Sequence, residues 1–124
     1  MLIKSGFESF QGMEFALFRL RPGITEAQLL ARAQAAEQGF FLHRDGLLGH
    51  WLLRGADGLY ADVTLARTQA LAEAICQQWL SEPETQRYLA LIDEGSADMS
   101  FWTRLCQAPG PQARPQKPTF RASQ

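Results

Sequence analysis

Residues 14–23 read EFALFRLRPG, and the rest of the chain is interpreted from this stretch. Its positions from Phe15 to Phe18 are apolar in succession, as expected of a strand that is buried on both faces. Pro22 and Gly23 end the strand, because proline lacks an N–H for the sheet ladder and glycine permits a sharp turn. We therefore predict a strand over residues 13–21, inside a sheet.

A helix is predicted directly after this turn. Thr25 can cap the first turn, and Gln28 stands three residues later, which completes a capping box. Leu29 and the alanines that follow it at helical spacing give one apolar face. Gly39 is expected to close the helix in a left-handed conformation.

Two strands joined by a tight hairpin follow this helix. We predict strands over residues 47–54 and 59–65, with Asp57 and Gly58 supplying the positive φ angles of the loop between them. The second of these strands alternates well. One face is expected to carry Leu59, Ala61, Val63 and Leu65, and the other Tyr60, Asp62 and Thr64.

The remaining elements complete a β-α-β-β-α-β order. Thr68 caps a second helix, which breaks at residues 81–84, where Ser81 and Glu84 resemble another capping box, and a short further helix runs to about residue 92. A last strand is predicted over residues 98–105. This order predicts an α+β fold of ferredoxin-like type, with a four-stranded antiparallel sheet and two helices on one face.

The chain is expected to hold one domain over residues 13–107 between two flanking segments. Residues 1–12 form an N-terminal extension. Residues 108–124 contain four prolines and no acidic residue, so we expect a disordered tail. The first twelve residues lack the long apolar run of a secretory signal.

Composition excludes several classes of function. The net charge is −1, with 12 basic and 13 acidic side chains, whereas nucleic-acid-binding proteins usually carry a basic patch. No apolar run approaches the roughly 18 residues that span a bilayer. The charge balance and the lack of a long apolar run lead us to expect no nucleic-acid or membrane partner. The two cysteines form no paired motif, so we expect free thiols and a cytoplasmic location.

Four stretches carry a resemblance to a known family. They are the strand and turn at 14–23, the turn and strand at 44–49, the run at 60–64 and the helix break at 81–83. Over residues 13–105 the chain resembles the dimeric α+β barrel superfamily, which includes the antibiotic-biosynthesis-monooxygenase-like domains. The resemblance implies a homodimer whose two sheets meet, and a pocket in each half between sheet and helices. The superfamily also includes oxygenases that need no cofactor, which makes an oxygenase one expectation among several.

Candidate site residues come from strand faces, since residues two apart share a face. The sets are Leu48, His50 and Leu52 on the second strand, Tyr60, Asp62 and Thr64 on the third, and Asp98, Ser100 and Trp102 on the fourth. If these faces coincide, His50 and Asp62 are the candidate catalytic pair, with His50 as proton acceptor and Asp62 orienting it. The candidate substrate-binding residues are Tyr60, Trp102, Leu48, Leu52 and Phe18.

Each candidate also has a purely structural interpretation. A strand histidine often serves as a hydrogen-bonded structural residue, and Tyr60 and Trp102 suit strands through packing alone. Asp62 could face water or pair with Arg19. The histidine and cysteine spacing predicts no metal site, the chain has no glycine-rich phosphate loop, and we expect no cofactor.

Three functions stay open at this point. The first is a monooxygenase-like enzyme or binder of a largely apolar or aromatic small molecule. The second is a non-catalytic dimerisation or interaction module whose barrel is filled by its own side chains. The third is a regulator whose proline-rich tail docks a partner.

Overall fold

A computed structural model describes residues 1–106, and the predicted disordered tail lies outside them. These residues form five strands and three α-helices. The strands are β1 (Leu2–Ile3), β2 (Gly12–Phe18), β3 (Leu47–Arg54), β4 (Tyr60–Ala66) and β5 (Asp98–Thr103). The helices are α1 (Glu26–Gly39), α2 (Gln69–Gln78) and α3 (Pro83–Leu89). The predicted α+β class and antiparallel sheet are confirmed.

The sheet has five strands rather than the predicted four, in the order β1-β3-β4-β2-β5. The additional strand comes from the predicted N-terminal extension: Leu2 pairs with His50 and Ile3 with Gly49. β3 would otherwise be an edge strand with free backbone groups, and β1 occupies part of that edge. Sequence pattern missed β1 because two residues give no periodicity to detect.

All three helices pack on one face of the sheet. The buried core there joins Leu29 of α1, Ile75 of α2 and Tyr88 of α3 to Phe18 and Leu47 of the sheet. The predicted capping box of α1 is present, with the Thr25 side chain accepting from the Gln28 N–H. Among residues 1–106, no helix is both long and apolar enough to cross a membrane.

Two predicted features of the helix ends are wrong. α1 ends at Gly39 as predicted, but Gly39 has no positive φ angle; a Cβ there would lie 2.8 Å from the Glu84 Cγ of α3, which favours glycine at this position. The N-cap of α3 is Glu82 rather than Ser81, whose hydroxyl donates to the Gln78 carbonyl instead. The close approach of α1 to α3 favours glycine at position 39, and a local hydrogen bond to the end of α2 occupies the hydroxyl of Ser81.

The two sheet faces differ in their cover. Glu14, Ala16 and Phe18 of β2 face the helices, and the alternate residues Phe15 and Leu17 lie half-buried on the opposite face. No helix of the described chain packs on that opposite face. Its apolar residues are Met13, Phe15, Leu17, Trp51, Leu53, Ala61, Val63, Leu65 and Trp102.

A β-bulge lies at the start of β3. The register with β4 shifts between Leu47 and Gly49, so that Leu47 rather than Leu48 joins the core. From His50 onward, the strand alternates as predicted. The bulge therefore separates Leu48 from the face that carries His50 and Leu52.

Candidate functional site

His50 is held in the core between two carboxylates. It lies on β3 and is fully buried. Its Nδ1 lies 2.7 Å from Glu37 Oε2 of α1, and its Nε2 lies 2.6 Å from Asp62 Oδ1 of β4. The Phe41 ring stacks on the imidazole with centroids 4.2 Å apart. The ring is thus fixed in position by both packing and hydrogen bonds.

Two ionised carboxylates beside the ring favour a positively charged imidazole. A carboxylate oxygen only accepts hydrogen bonds, so both ring nitrogens must donate. Burial alone would lower the pKa of His50, but the charges and hydrogen bonds of Asp62 and Glu37 outweigh it and raise the pKa to about 9. Burial alone would raise the pKa of Asp62, and His50 holds it below its ordinary value. At neutral pH, His50 is therefore protonated, and both of its N–H groups donate to carboxylates, so no ring nitrogen is free to accept a proton.

Asp62 is the junction of the buried polar groups. Besides His50, the Tyr88 hydroxyl of α3 donates to Asp62 Oδ1 over 2.7 Å. Burial first and then the Asp62 charge raise the pKa of Tyr88 well above its ordinary value, which keeps the phenol neutral. On the far side of His50, the N-terminal ammonium lies 3.0 Å from Glu37 Oε1.

A second carboxyl group, Glu14, lies beside this junction. It is fully buried on β2, with its Cα opposite Thr64 of β4. Within residues 1–106 neither of its carboxyl oxygens has a hydrogen-bond donor, and Asp62 Oδ2 and Thr64 Oγ1 also lack partners. Burial raises the pKa of Glu14 well above its ordinary value, and the nearby Asp62 charge raises it further. Both effects favour the protonated form of Glu14.

An apolar cavity of about 250 Å³ reaches Asp62 from the surface. Ala16 and Phe18 lie along the sheet side, and Trp79, Leu89 and Ile92 along the helix side. Asp62 and Tyr88 are its buried polar groups, and Glu94 stands with the exposed residues at its rim. A neighbouring cavity of about 300 Å³ shares Trp79, Leu80, Leu89 and Met99 with it. The site combines apolar walls with a hydrogen-bonded polar wall.

The structure separates the predicted site residues into groups. His50 and Asp62 are in contact, and Phe18 lines the same cavity as Asp62. Tyr60 and Leu52 instead line a smaller cavity of about 170 Å³ beside α1, where the Tyr60 hydroxyl donates to Glu26.

Two predicted residues lie away from both cavities. Leu48 is displaced by the bulge. Trp102 pairs with Met13 on the face without helices and is 54% exposed, so the predicted common face does not include it. The faces fail to coincide there because β5 places Phe101, rather than Trp102, opposite Glu14.

Three residues of the polar cluster were missing from the prediction. Glu14 stands in an apolar strand on the face of Ala16 and Phe18, and Glu37 follows Ala33 by four residues on the apolar face of α1. A charged residue on an apolar stripe is a usable signal for both. Tyr88 carried no such signal, because a tyrosine on an apolar helix face is ordinary. No group of three potential ligands within residues 1–106 could hold a metal ion.

Comparison with known proteins finds matches among solved structures and none among family models or curated proteins. A mutant of SnoaB, a cofactor-independent oxygenase from Streptomyces nogalater, superposes with a TM-score of 0.59 at 18% identity, covering 82% of this chain and 98% of SnoaB. Rv0793 from Mycobacterium tuberculosis superposes with a TM-score of 0.58 at 19% identity, over 79% of this chain and 98% of that protein.

A third structure is named after the family that the sequence is predicted to resemble. It comes from Nitrosomonas europaea and is a proposed antibiotic biosynthesis monooxygenase, with a TM-score of 0.58 at 12% identity, covering 77% of this chain and 99% of the other. Identities this low establish shared architecture rather than shared chemistry. The predicted resemblance is confirmed at the level of the fold: this chain has the α+β architecture of the antibiotic-biosynthesis-monooxygenase-like proteins.

Proposed function

We propose that this protein binds a largely apolar or aromatic small molecule in the cavity that ends at Asp62 and Tyr88, and acts on it as a monooxygenase-like enzyme. The observation that carries the proposal is the combination of an apolar cavity of about 250 Å³ with a buried, charged and hydrogen-bonded wall. Ligand sites are typically concave, mostly apolar and equipped with a few convergent polar groups.

The cavity favours this function over a barrel filled by its own side chains. A self-filled interior would leave no cavity beside Phe18 and Tyr88, whereas both side chains line the cavity of about 250 Å³ although they are themselves fully buried. The ionised Asp62 also costs free energy to bury, and groups retained at such cost are concentrated at functional sites. A packing role alone gives no reason for a charged side chain at the end of an apolar cavity.

The chemistry open to this site follows from its groups. Asp62 can accept a hydrogen bond from a ligand hydroxyl, and Tyr88 can orient the same group. His50 does not line the cavity, so it acts through Asp62 and is a positioning residue in this proposal. The fold similarity to a cofactor-independent oxygenase supports dioxygen as the co-substrate. An oxygenation that balances without a cofactor is that of an activated methylene group, which with one dioxygen molecule gives a ketone carbonyl and one water molecule.

The proposal is tested with a probe of the stated class and a variant that fills the entrance. 2-Naphthol is titrated into the protein by calorimetry, with one site per chain expected. Ala97 lines the cavity from an exposed position, so Ala97→Phe narrows the entrance without entering the core. We expect the affinity for 2-naphthol to fall at least about tenfold, since a phenyl side chain takes up much of the apolar contact area.

The matched control is Ala90→Phe, an equally exposed alanine at the end of α3 that does not line the cavity. Its affinity for 2-naphthol should equal that of the unaltered protein. An equal loss of affinity for 2-naphthol in Ala97→Phe and Ala90→Phe contradicts the proposed site. So does the absence of 2-naphthol binding to the unaltered protein. Catalysis is then followed as dioxygen uptake with aromatic compounds that carry an activated methylene group, and Ala97→Phe should abolish it.

A further inference from the structure

Four buried polar atoms without partners lie together beside the cavity. They are Glu14 Oε1 and Oε2, Asp62 Oδ2 and Thr64 Oγ1, and none of them makes a hydrogen bond of ordinary geometry within residues 1–106. Asp62 and Thr64 nevertheless lie close enough to Glu14 to influence its pKa. In the sheet register, Glu14 is opposite Thr64 and Ala16 is opposite Asp62, so Glu14 and Asp62 are diagonal neighbours on one face. Unpaired buried polar atoms are rare and costly, so four in one place require a common explanation.

A single proton on Glu14 accounts for all four atoms. An ionised Glu14 would place two buried carboxylates side by side, each offering only acceptors. A protonated Glu14 donates to Asp62 Oδ2, and its other oxygen accepts from the Thr64 hydroxyl. Burial and the adjacent Asp62 charge both raise the pKa of Glu14, in agreement with this count of donors and acceptors.

The surrounding groups decide which carboxyl keeps the proton. His50 and Tyr88 both donate to Asp62, which stabilises Asp62 as the carboxylate. The titratable groups around the pair are His50 on β3, Glu37 behind it on α1, Cys76 on α2 and Tyr88 on α3. Burial, followed by the two carboxyl groups, raises the pKa of the Cys76 thiol, so it is neutral. Among these groups, His50 is the cation.

The charged residues that line the two neighbouring cavities are all acidic. Asp62 and Glu94 line the first, and Glu73 lines the second; no Lys, Arg or His of residues 1–106 lines either one. An ionised acceptor in an apolar wall attracts a hydroxyl donor and repels an anion. The acidic lining of the cavity and the ionised Asp62 of the cluster therefore both favour a ligand that donates a hydrogen bond over an anionic ligand.

We propose that Glu14 and Asp62 share one proton, carried by Glu14, and that the ionised Asp62 makes the cavity select neutral, hydroxyl-bearing aromatic ligands over anionic ones. The second half of this proposal rests on the proposed ligand site, and the first half does not. Glu14 is then a positioning residue, because it fixes the charge and orientation of Asp62 without lining the cavity itself.

The shared proton is tested in the protein without ligand. Infrared spectra at neutral pH should show the carbonyl band of a protonated carboxyl group. Glu14→Gln should remove that band and still fold, because a glutamine amide donates to Asp62 and accepts from Thr64 as the protonated acid does. Glu8→Gln, at an exposed position, is the control and should keep the band. Absence of the band in the unaltered protein overturns the shared proton, as does its survival in Glu14→Gln.

A second measurement removes any dependence on how the variant folds. Carbon NMR of the unaltered protein with labelled glutamate side chains should show one carboxyl carbon that remains at its protonated shift when the other glutamates have ionised. If every glutamate titrates in the ordinary acidic range, the shared proton is excluded.

The ligand preference is tested with three matched probes. 2-Naphthol offers a donor, 2-methoxynaphthalene has none, and 2-naphthoate is an anion. We expect 2-naphthol to bind at least about tenfold more tightly than either of the others, the usual effect of a hydrogen bond to a charged group. Asp62→Asn should reduce the discrimination against 2-naphthoate.

The outcomes separate this inference from the proposed function. Binding of 2-naphthoate at least as tight as that of 2-naphthol overturns the selection and leaves the ligand site standing. Failure of all three probes to bind removes the ligand site and the selection together. The infrared and NMR results decide the shared proton in either case.

Discussion

A charged histidine in a protein core needs compensating charge from its neighbours. His50 is in contact with two carboxylates, and removing one member of such a buried set leaves the others without compensation. The cost of losing this histidine is therefore set by Glu37 and Asp62, and not by one neutral hydrogen bond. Its loss affects stability and the charge at the cavity together.

We predict that His50→Gln destabilises the fold by about 3–5 kcal/mol, because two buried carboxylates lose their counter-charge. The free energy of unfolding, measured by urea denaturation at pH 7, checks this. His43→Gln is the control, since His43 is exposed, and it should change the stability by less than about 0.5 kcal/mol. A cost near 1 kcal/mol for His50→Gln would show that the charge network contributes little.

The pH dependence of the same variant tests the charge on His50. The folded pKa of about 9 exceeds the ordinary value of 6.5, so the stabilisation is fully present below pH 6.5. It is lost as the pH rises from 6.5 through about 9. The stability difference between the unaltered protein and His50→Gln should therefore shrink over this range. A difference that stays constant from pH 6 to 10 contradicts a charged His50.

At the scale of elements, β2 and the start of α2 pack so closely at Gly12 that no side chain fits between them. A Cβ on Gly12 would overlap with the backbone carbonyl carbon of Thr68, the N-cap of α2. Backbone cannot move aside as a flexible side chain can, so the strand and the helix would have to separate. The separation would also disturb Glu14, two residues along the same strand.

We predict that Gly12→Ala lowers the stability by at least about 3 kcal/mol, at the upper end of the cost of overpacking. Gly55→Ala is the matched control, because an added Cβ there makes only ordinary contacts, the nearest at 3.4 Å from the Leu59 carbonyl oxygen. Thermal denaturation of both variants gives the comparison. Equal melting temperatures would show that β2 and α2 can separate at little cost.

At the scale of the whole molecule, one sheet face is apolar, and no helix within residues 1–106 packs on it. Phe15 and Leu17 are half-buried there, and Trp102 and Leu53 are 54% and 47% exposed. A contiguous apolar surface of this kind commonly marks an interface between proteins. The homodimer implied by the sequence resemblance would cover this face with its counterpart on a second copy.

We predict that the protein is a dimer in solution and that Phe15→Glu makes it monomeric, because a charge would be buried at the centre of the joined sheets. Sedimentation at micromolar concentration measures the mass against 13.9 kDa for one chain. Leu42→Glu, an exposed leucine after α1, is the control and should remain dimeric. A monomer in all three proteins would rule out the dimer.

The sequence by itself determined the elements whose signals are local. The capping box of Thr25, the Asp57–Gly58 hairpin with φ angles of 55° and 79°, and the bounds of β3 all appear as predicted. Each of these rests on the conformational preferences of a few adjacent residues or on a short repeating pattern, and both are properties of the chain before it folds.

Only the tertiary structure decided which polar side chains meet. Glu37, His50 and Asp62 come from three elements, and the bulge before His50 and the register of β5 determined that Leu48 and Trp102 lie elsewhere. A shift of one residue in register moves a side chain to the other face of a sheet. Register depends on packing between distant segments, which is why the buried charges could be located only in the folded chain.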